Sequence, residues 1–308
     1  MTFATLPHLS LATPFAFSWC QSFRLPDAVL TSAEYLQELA SRLTTAYVAA
    51  AGTRAALLAG SAASGDADYY SDVDLILYYD ELPSEEALAA ARASLGVREL
   101  DRTAREEHAV LEFFRVDGVE CQLAHLLTTR VEARAANLVA EIEADEQMLK
   151  VVSGLFEGLP LHGADVIESW RAAIVYSDEL QRAQIERHWQ FFPLWYFDER
   201  IATRDALLWR QEILVEAAFS LLAVLAALNR VWFSRFEVKR MRKLVSRLKL
   251  APPRFADRVE QMLRGDVGEL EALVEETRDL VSEHVPGVHL PLREPLHSRE
   301  QPWHPSNE

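Results

Sequence analysis

The sequence predicts an α+β protein: a small mixed sheet with helices in the N-terminal half, followed by an all-helical C-terminal half. Three observations carry this. Between residues 31 and 127, apolar residues switch between a spacing of three to four and a spacing of two, the periods of helix and strand. Beyond Thr128 only the helical spacing recurs, in segments punctuated by Pro160, Pro193, Pro252-Pro253 and Pro286. The 308 residues, 50% of them hydrophobic, suffice for two domains with cores of their own, and their boundary is expected between 128 and 160.

Residues 1–29 carry no clear period and several prolines, and read as an extended arm. A helix follows to about Ala51. Ser32 supplies its start with Glu34 and Glu38 nearby, Tyr35, Leu36, Leu39, Leu43 and Tyr47 recur along one stripe, and Gly52 ends it. The apolar run 55–59 is a strand that stops at Gly60-Ser61, and a second strand runs over 73–79. Pro83-Ser84-Glu85 opens a helix to about Leu95, closed by Gly96. The runs 108–116 and 119–127 flank Asp117-Gly118, the strongest short hairpin signal. Helices are then expected over 131–143, 146–155, 165–173, 177–192, 198–229, 234–248, 253–263 and 268–283. The organisation is an arm (1–29), a sheet domain (30–145), a helical domain (146–290) and an irregular tail (291–308).

Composition narrows the function. With 31 basic and 47 acidic residues the net charge is −16, which argues against extended binding to a nucleic-acid backbone. Cys20 and Cys121 are too few for a disulfide framework and lack metal-ligand spacing, so reduced thiols are expected. The start lacks a basic secretory lead, its first Arg being Arg24, and a cytoplasmic protein without a targeting segment is expected. The apolar run 213–228 is sixteen residues long and interrupted by Glu216, and reads as a central buried helix rather than a membrane span.

The chemistry concentrates between residues 53 and 80. Alternation places Asp72 and Asp74 side by side on one face of the second strand, with Val73 and Leu75 on the other. Two adjacent carboxylates repel unless a cation lies between them, and such hard oxygen ligands suit Mg²⁺, which in turn carries substrate phosphates. Gly60 at the end of the preceding strand lets backbone approach a ligand, Ser61 follows, and Ala62, Ala63 and Ser64 keep the approach open. The bland alternative is a tight turn before a strand with solvated acids.

Gly60-Ser61, followed eleven positions after Ser61 by Asp72-Val73-Asp74 in a strand, resembles the signature of nucleotidyltransferases of the DNA polymerase β superfamily. The resemblance covers residues 30–128. The helical half is similar, in general pattern only, to the C-terminal domains of bacterial aminoglycoside-type nucleotidyltransferases. It implies a nucleotidyltransferase-type small mixed sheet with helices on one face and a cleft closed by the helical domain. An NTP, ATP by expectation, would bind there with two Mg²⁺ ions. Asp72 and Asp74 would be the catalytic metal ligands, and Gly60 and Ser61 would hold the leaving phosphates. The family's third carboxylate comes from a neighbouring strand; Glu120, which shares a face with Gln122, matches that place but departs from the more frequent Asp. Glu120 is otherwise an exposed acid beside a turn, and Glu112 and Asp117 are weaker rivals.

In the helical half a basic run stands out: Lys239, Arg240, Arg242, Lys243, Arg247 and Lys249. Lys239, Arg242 and Lys243 share a face at helical spacing, so one or two could reach a triphosphate, the alternative being a solvated basic face. Glu216 is either a buried general base or an edge residue paired with Arg210 or Arg187. The aromatics of 187–204 are expected in the core. The activity the resemblance implies is transfer of a nucleoside monophosphate, AMP by expectation, to a hydroxyl of a small acceptor, with an aminoglycoside-like cation favoured by the acidic balance. The other class is a non-catalytic nucleotide-binding regulatory or interaction protein, or an enzyme whose acceptor is a protein side chain.

Overall fold

The computed structural model describes residues 30–133, 146–235 and 240–291. The arm, Cys20, most of the helix expected over 131–143, Lys239 and nearly all of the tail lie outside them. Six strands form one mixed sheet: β1 (Ala55–Ala59), β2 (Val73–Tyr79), β3 (Arg102–Glu106), β4 (Ala109–Val116), β5 (Val119–Leu127) and β6 (Leu159–His162), in the order β3-β4-β5-β2-β1-β6. Only β2 and β5 run parallel, with Asp74 opposite Gln122; the other neighbours are antiparallel. A helical C-terminal region completes the α+β architecture.

Helices α1 (Ser32–Ala51) and α3 (Glu85–Ser94) cover one face of the sheet. The cap of α1 is Thr31 rather than Ser32: its hydroxyl accepts from Glu34 N at 3.3 Å while Glu34 Oε2 accepts from Thr31 N at 2.7 Å, a reciprocal capping box. Leu36, Leu39, Leu43 and Tyr47 of α1 pack on Val73, Leu75, Leu77 and Tyr79 of β2, while Tyr35 stays exposed. The hairpin turn at Asp117-Gly118 has both residues at positive φ, 52° and 84°, as a two-residue turn between twisted strands requires.

Two strands depart from the expectation. All five residues of β3 are exposed, and a charged edge strand carries no apolar alternation to betray it. β6, with Pro160 opposite Leu57, closes the other edge. The sheet thus takes its last strand from the stretch expected to be wholly helical. On either side of β6, α4 (Glu146–Glu157) and α5 (Ala164–Ala173) cover the second face, where Leu149, Val152, Leu155, Ile167 and Trp170 meet Ala55, Leu57 and Tyr78.

The helical region comprises α6 (Asp178–His188), α7 (Leu207–Leu228), α8 (Met241–Ser246), α9 (Phe255–Leu263) and α10 (Val267–His284). The helix expected over 198–229 is broken: a π-helical turn, Phe197–Ile201, precedes a polar link containing Thr203 and Asp205, residues that favour turns. α7 is long and apolar enough to cross a membrane by length and composition, yet here it is the core helix of its region, with Leu214, Leu221, Val224 and Leu225 fully enclosed among Trp189, Phe191, Phe255 and Leu273. Asn229 ends α7 and clamps the chain after α8: Nδ2 donates to Leu225 O and Leu250 O, and Oδ1 accepts from Lys249 N and Leu250 N, all within 2.9 Å.

A buried polar chain links α1, α3 and the sheet. Glu112, 1% exposed on β4, accepts from Tyr47 OH at 2.6 Å and from His125 Nε2 at 2.9 Å, and pairs with Arg92 of α3. With Nε2 donating to the carboxylate, His125 Nδ1 receives Tyr79 OH at 3.0 Å, which itself accepts from Thr53 Oγ1 at 3.2 Å. Glu112 is therefore no rival for a metal site; it faces the α1 and α3 side, opposite Asp74. Burial pushes its carboxyl upward, but the hydrogen bonds from His125 and Tyr47 and the neighbouring charges outweigh that and hold it below the ordinary 4.5.

Removing this carboxylate leaves Arg92, His125 and Tyr47 without their common acceptor. Glu112→Ala is expected to cost about 3–5 kcal/mol in chemical denaturation at pH 7. Because the folded value lies below the unfolded one, the stabilisation is complete above the unfolded value and is lost as pH falls through the folded one. Denaturation midpoints of the wild type should fall more steeply below pH 4.5 than those of Glu112→Gln.

Candidate functional site

Gly60 opens the site. It follows β1 at φ +67°, a left-handed conformation open to glycine, and a Cβ added there would stand 2.5 Å from Asp74 Oδ2. The turn backbone thus lies against that carboxylate, and any Cβ there would make the carboxylate shift. The helix after it, α2 (Gly60–Ala63), is a single turn, with Ala62 buried and its carbonyl held by Gln37 Nε2 of α1 at 2.8 Å. Ser61 Oγ donates to Ser71 Oγ at 3.1 Å. Ser71 Oγ in turn donates to Asp68 Oδ1 at 3.2 Å and accepts from Asp68 N at 2.9 Å, so the connection 64–71 is stitched back onto the glycine turn. Tyr69 and Tyr70 stand at its tip, each 91% exposed.

Asp72 and Asp74 reach the same side of the sheet, because Val73 between them is fully buried on the other. Gln122 Nε2, on the parallel neighbour β5, donates to Asp72 Oδ2 at 2.7 Å and lies 3.4 Å from Glu120 Oε1. One amide therefore spans the acid of β2 and the acid of β5. Glu120 is about half exposed and has Arg115 at 3.8 Å. Among the described residues, no group of three or more His, Cys, Asp or Glu side chains is gathered to hold a metal ion. Mg²⁺ is commonly held by one or two carboxylates together with substrate phosphates, and the hard oxygens of Asp72 and Asp74 beside a glycine cradle fit that mode.

The helical region reaches the same loop. Lys243 of α8 pairs with Asp66, its Nζ 3.2 Å from Ser64 O; Arg240, the cap of α8, lies 3.5 Å from Asp66 Oδ1 and 3.4 Å from Asp68 Oδ2. Partial burial, with the Arg247 charge adding to it, draws the Lys243 ammonium below its ordinary value. Arg247 joins Glu157 of α4 at 2.6 Å. Arg242 does not share Lys243's direction: it pairs with Asp257 and Glu260 of α9 at 2.6 and 2.7 Å, since successive helical residues diverge by 100°. Lys239 lies outside the described residues.

Other candidates resolve into structural roles. Glu216 is half exposed and forms a two-pronged pair with Arg235 at 2.7 and 3.1 Å, not with Arg210 or Arg187. Asp117 belongs to the hairpin turn and meets Arg42 at 3.0 Å. Cys121 is a free, buried thiol whose pKa burial pushes up to about 12. Trp189, Phe191 and Phe197 are core, as expected. Gln122 and Asp66 are the site residues the sequence did not single out; the only signal for Gln122 was its alternation with Glu120.

No protein-family model matches the chain, and no curated protein matches it. Among solved structures it is similar to a nucleotidyltransferase-like protein from Exiguobacterium sibiricum 255-15, with 12% identity, 80% of this chain and 79% of that one covered, and a TM-score of 0.28. It is also similar to CdnC of E. coli MS115-1, in a complex with HORMA-deltaN and in a structure with ATP. Identity is 12% to both, 83% of this chain and 92% of each of those is covered, and the TM-scores are 0.26 and 0.27.

Gly60→Ala separates the close approach from the backbone conformation. Gly52→Ala faces the same left-handed strain, φ +66°, in open space, which costs about 1–2 kcal/mol. Gly60→Ala is expected to lose more than that in denaturant titrations, because its methyl displaces Asp74 as well.

Proposed function

We propose that the chain is a nucleotidyltransferase that moves a nucleoside monophosphate, with ATP as the expected donor, to a hydroxyl of a small acceptor. The observation that carries this reading is the glycine turn set against an acid pair, Gly60 on Asp74 with Asp72 two residues before it. A phosphate chain laid on Gly60 and Ser61 lies within reach of those carboxylates and of the Lys243 and Arg240 side of the loop. Mg²⁺, held by Asp72 and Asp74 together with the phosphates, would neutralise charge on the reacting phosphoryl oxygens. Gln122 orients Asp72, and Glu120 stands beside it as the third carboxylate of the proposal. As the acceptor hydroxyl's oxygen bonds to the α-phosphorus and its proton passes to water, the bond to the bridging oxygen breaks and pyrophosphate leaves. Ser61 and Lys243 meet the charge on that leaving group. Abundant carboxylate around the turn, Asp66, Asp68 and Asp72 among them, suits a cationic acceptor.

Asp72→Asn and Asp74→Asn each remove a metal ligand with almost no change in volume. Both are expected to lower transfer by orders of magnitude and to weaken NTP binding only when Mg²⁺ is present, read by titrating NTP with and without the metal. Undiminished Mg²⁺-dependent binding in both variants would remove this reading. Glu120→Gln should reduce turnover while leaving nucleotide affinity nearly unchanged; wild-type turnover would place the third carboxylate elsewhere. Lys243→Met should weaken binding of triphosphates while nucleoside binding is retained.

A further inference from the structure

Asp66 stands where the two halves of the molecule meet. Its backbone N–H donates to Ser61 O at 3.0 Å, its carboxylate accepts from Ser64 Oγ at 2.9 Å, and the same carboxylate pairs with Lys243 and has Arg240 at 3.5 Å. It is five residues from Ser61 and about a quarter exposed. Asp68 repeats the pattern more weakly, facing Arg240 at 3.4 Å while its other oxygen receives Tyr70 N and Ser71 Oγ. The cations that the helical region brings to the glycine turn are thus already partnered by carboxylates of the loop that follows it.

We infer that Asp66 is a specificity-determining residue of the proposed phosphate site: its carboxylate occupies the partner position on Lys243 that a phosphate oxygen would take, so a phosphate chain must displace it. The inference rests on the nucleotidyltransferase reading for the identity of the ligand, and its physical content is competition between two anions for one ammonium. A pair open in part to water is held less tightly than a buried one, because water screens it and long side chains lose freedom in it, so a more highly charged anion can exchange for the carboxylate. The charge of the incoming anion decides the exchange. A group with three linked phosphates offers Lys243 and Arg240 more charge than one carboxylate does, whereas a single phosphate gains little over Asp66. Asp66 thereby discriminates by phosphate-chain length, and its displacement also loosens Arg240 from the 66–68 segment whose end positions Ser71 against Ser61.

The test uses the full chain and inorganic tripolyphosphate, pyrophosphate and orthophosphate as probes, titrated by calorimetry in buffer containing a chelator. Asp66→Asn keeps the shape and the acceptor for Ser64 but removes the competing charge. It is expected to bind tripolyphosphate about tenfold more tightly than the wild type, with a smaller advantage of tripolyphosphate over pyrophosphate. In a Lys243→Met background the gain should vanish. Unchanged or weaker binding in Asp66→Asn, including no detectable binding in either protein, overturns the inference, and so does a gain that survives Lys243→Met. Asp66→Ser, measured alongside, gives a second neutral residue at this exposed loop should Asp66→Asn fold poorly. The chelator keeps divalent metal out of the measurement and the acid pair is common to every protein compared, so failure of the nucleotidyltransferase reading would appear in the Mg²⁺-dependent titrations and failure of this one here.

Discussion

The register of β2 is the constraint on which the rest depends. Its side chains alternate with period two: Val73, Leu75, Leu77 and Tyr79 enter the core beneath α1, while Asp72 and Asp74 emerge on the opposite face. A slip of one residue would carry both carboxylates into the apolar layer beneath α1 and pull four core side chains out of it, a cost far beyond what any single contact returns. The same register sets Asp74 opposite Gln122 and against Gly60, so the site's geometry follows from the packing of the strand rather than from contacts among the acids themselves.

Charge is used in two ways in this molecule, and burial separates them. Glu112 is enclosed, and its desolvation is offset because Arg92, Tyr47 and His125 all converge on it; such a cluster binds helices to sheet. At the junction of the two halves, the pairs of Lys243, Arg240 and Arg247 are partly open to water. They orient one half against the other without holding it tightly, which is the property a ligand-receiving surface needs. The apolar contact that backs them comes from Trp232, beside Phe156 and Tyr176 in the layer over β1.

The acidic balance of the chain therefore has local meaning. Asp66, Asp68, Asp72 and Asp74 fall within nine residues, and the cations brought by α8 and its cap lie on the loop side of that cluster. Acid and base are thus segregated to two edges of the same turn, the electrostatic feature on which the proposed transfer between a polyanionic donor and a cationic acceptor rests.

The sequence by itself determined the elements with strong local signals. Thr31 to Gly52, the strands at 55–59 and 73–79, the Ser84 start and the Asp117-Gly118 hairpin all stand within a residue or two of expectation, because period, caps and turn chemistry are local properties. The Gly60-Ser61 and Asp72-x-Asp74 pair was legible for the same reason. Only the tertiary structure decided the edges and the partners. β3 and β6 exist because neighbours accept their backbone bonds, not because of apolar pattern. Glu112 went to the core and Glu216 to Arg235, while Arg242 and Lys243, adjacent in sequence, went to opposite partners. A charge's role is fixed by what faces it across the fold, and that is long-range information carried by no single stretch of chain.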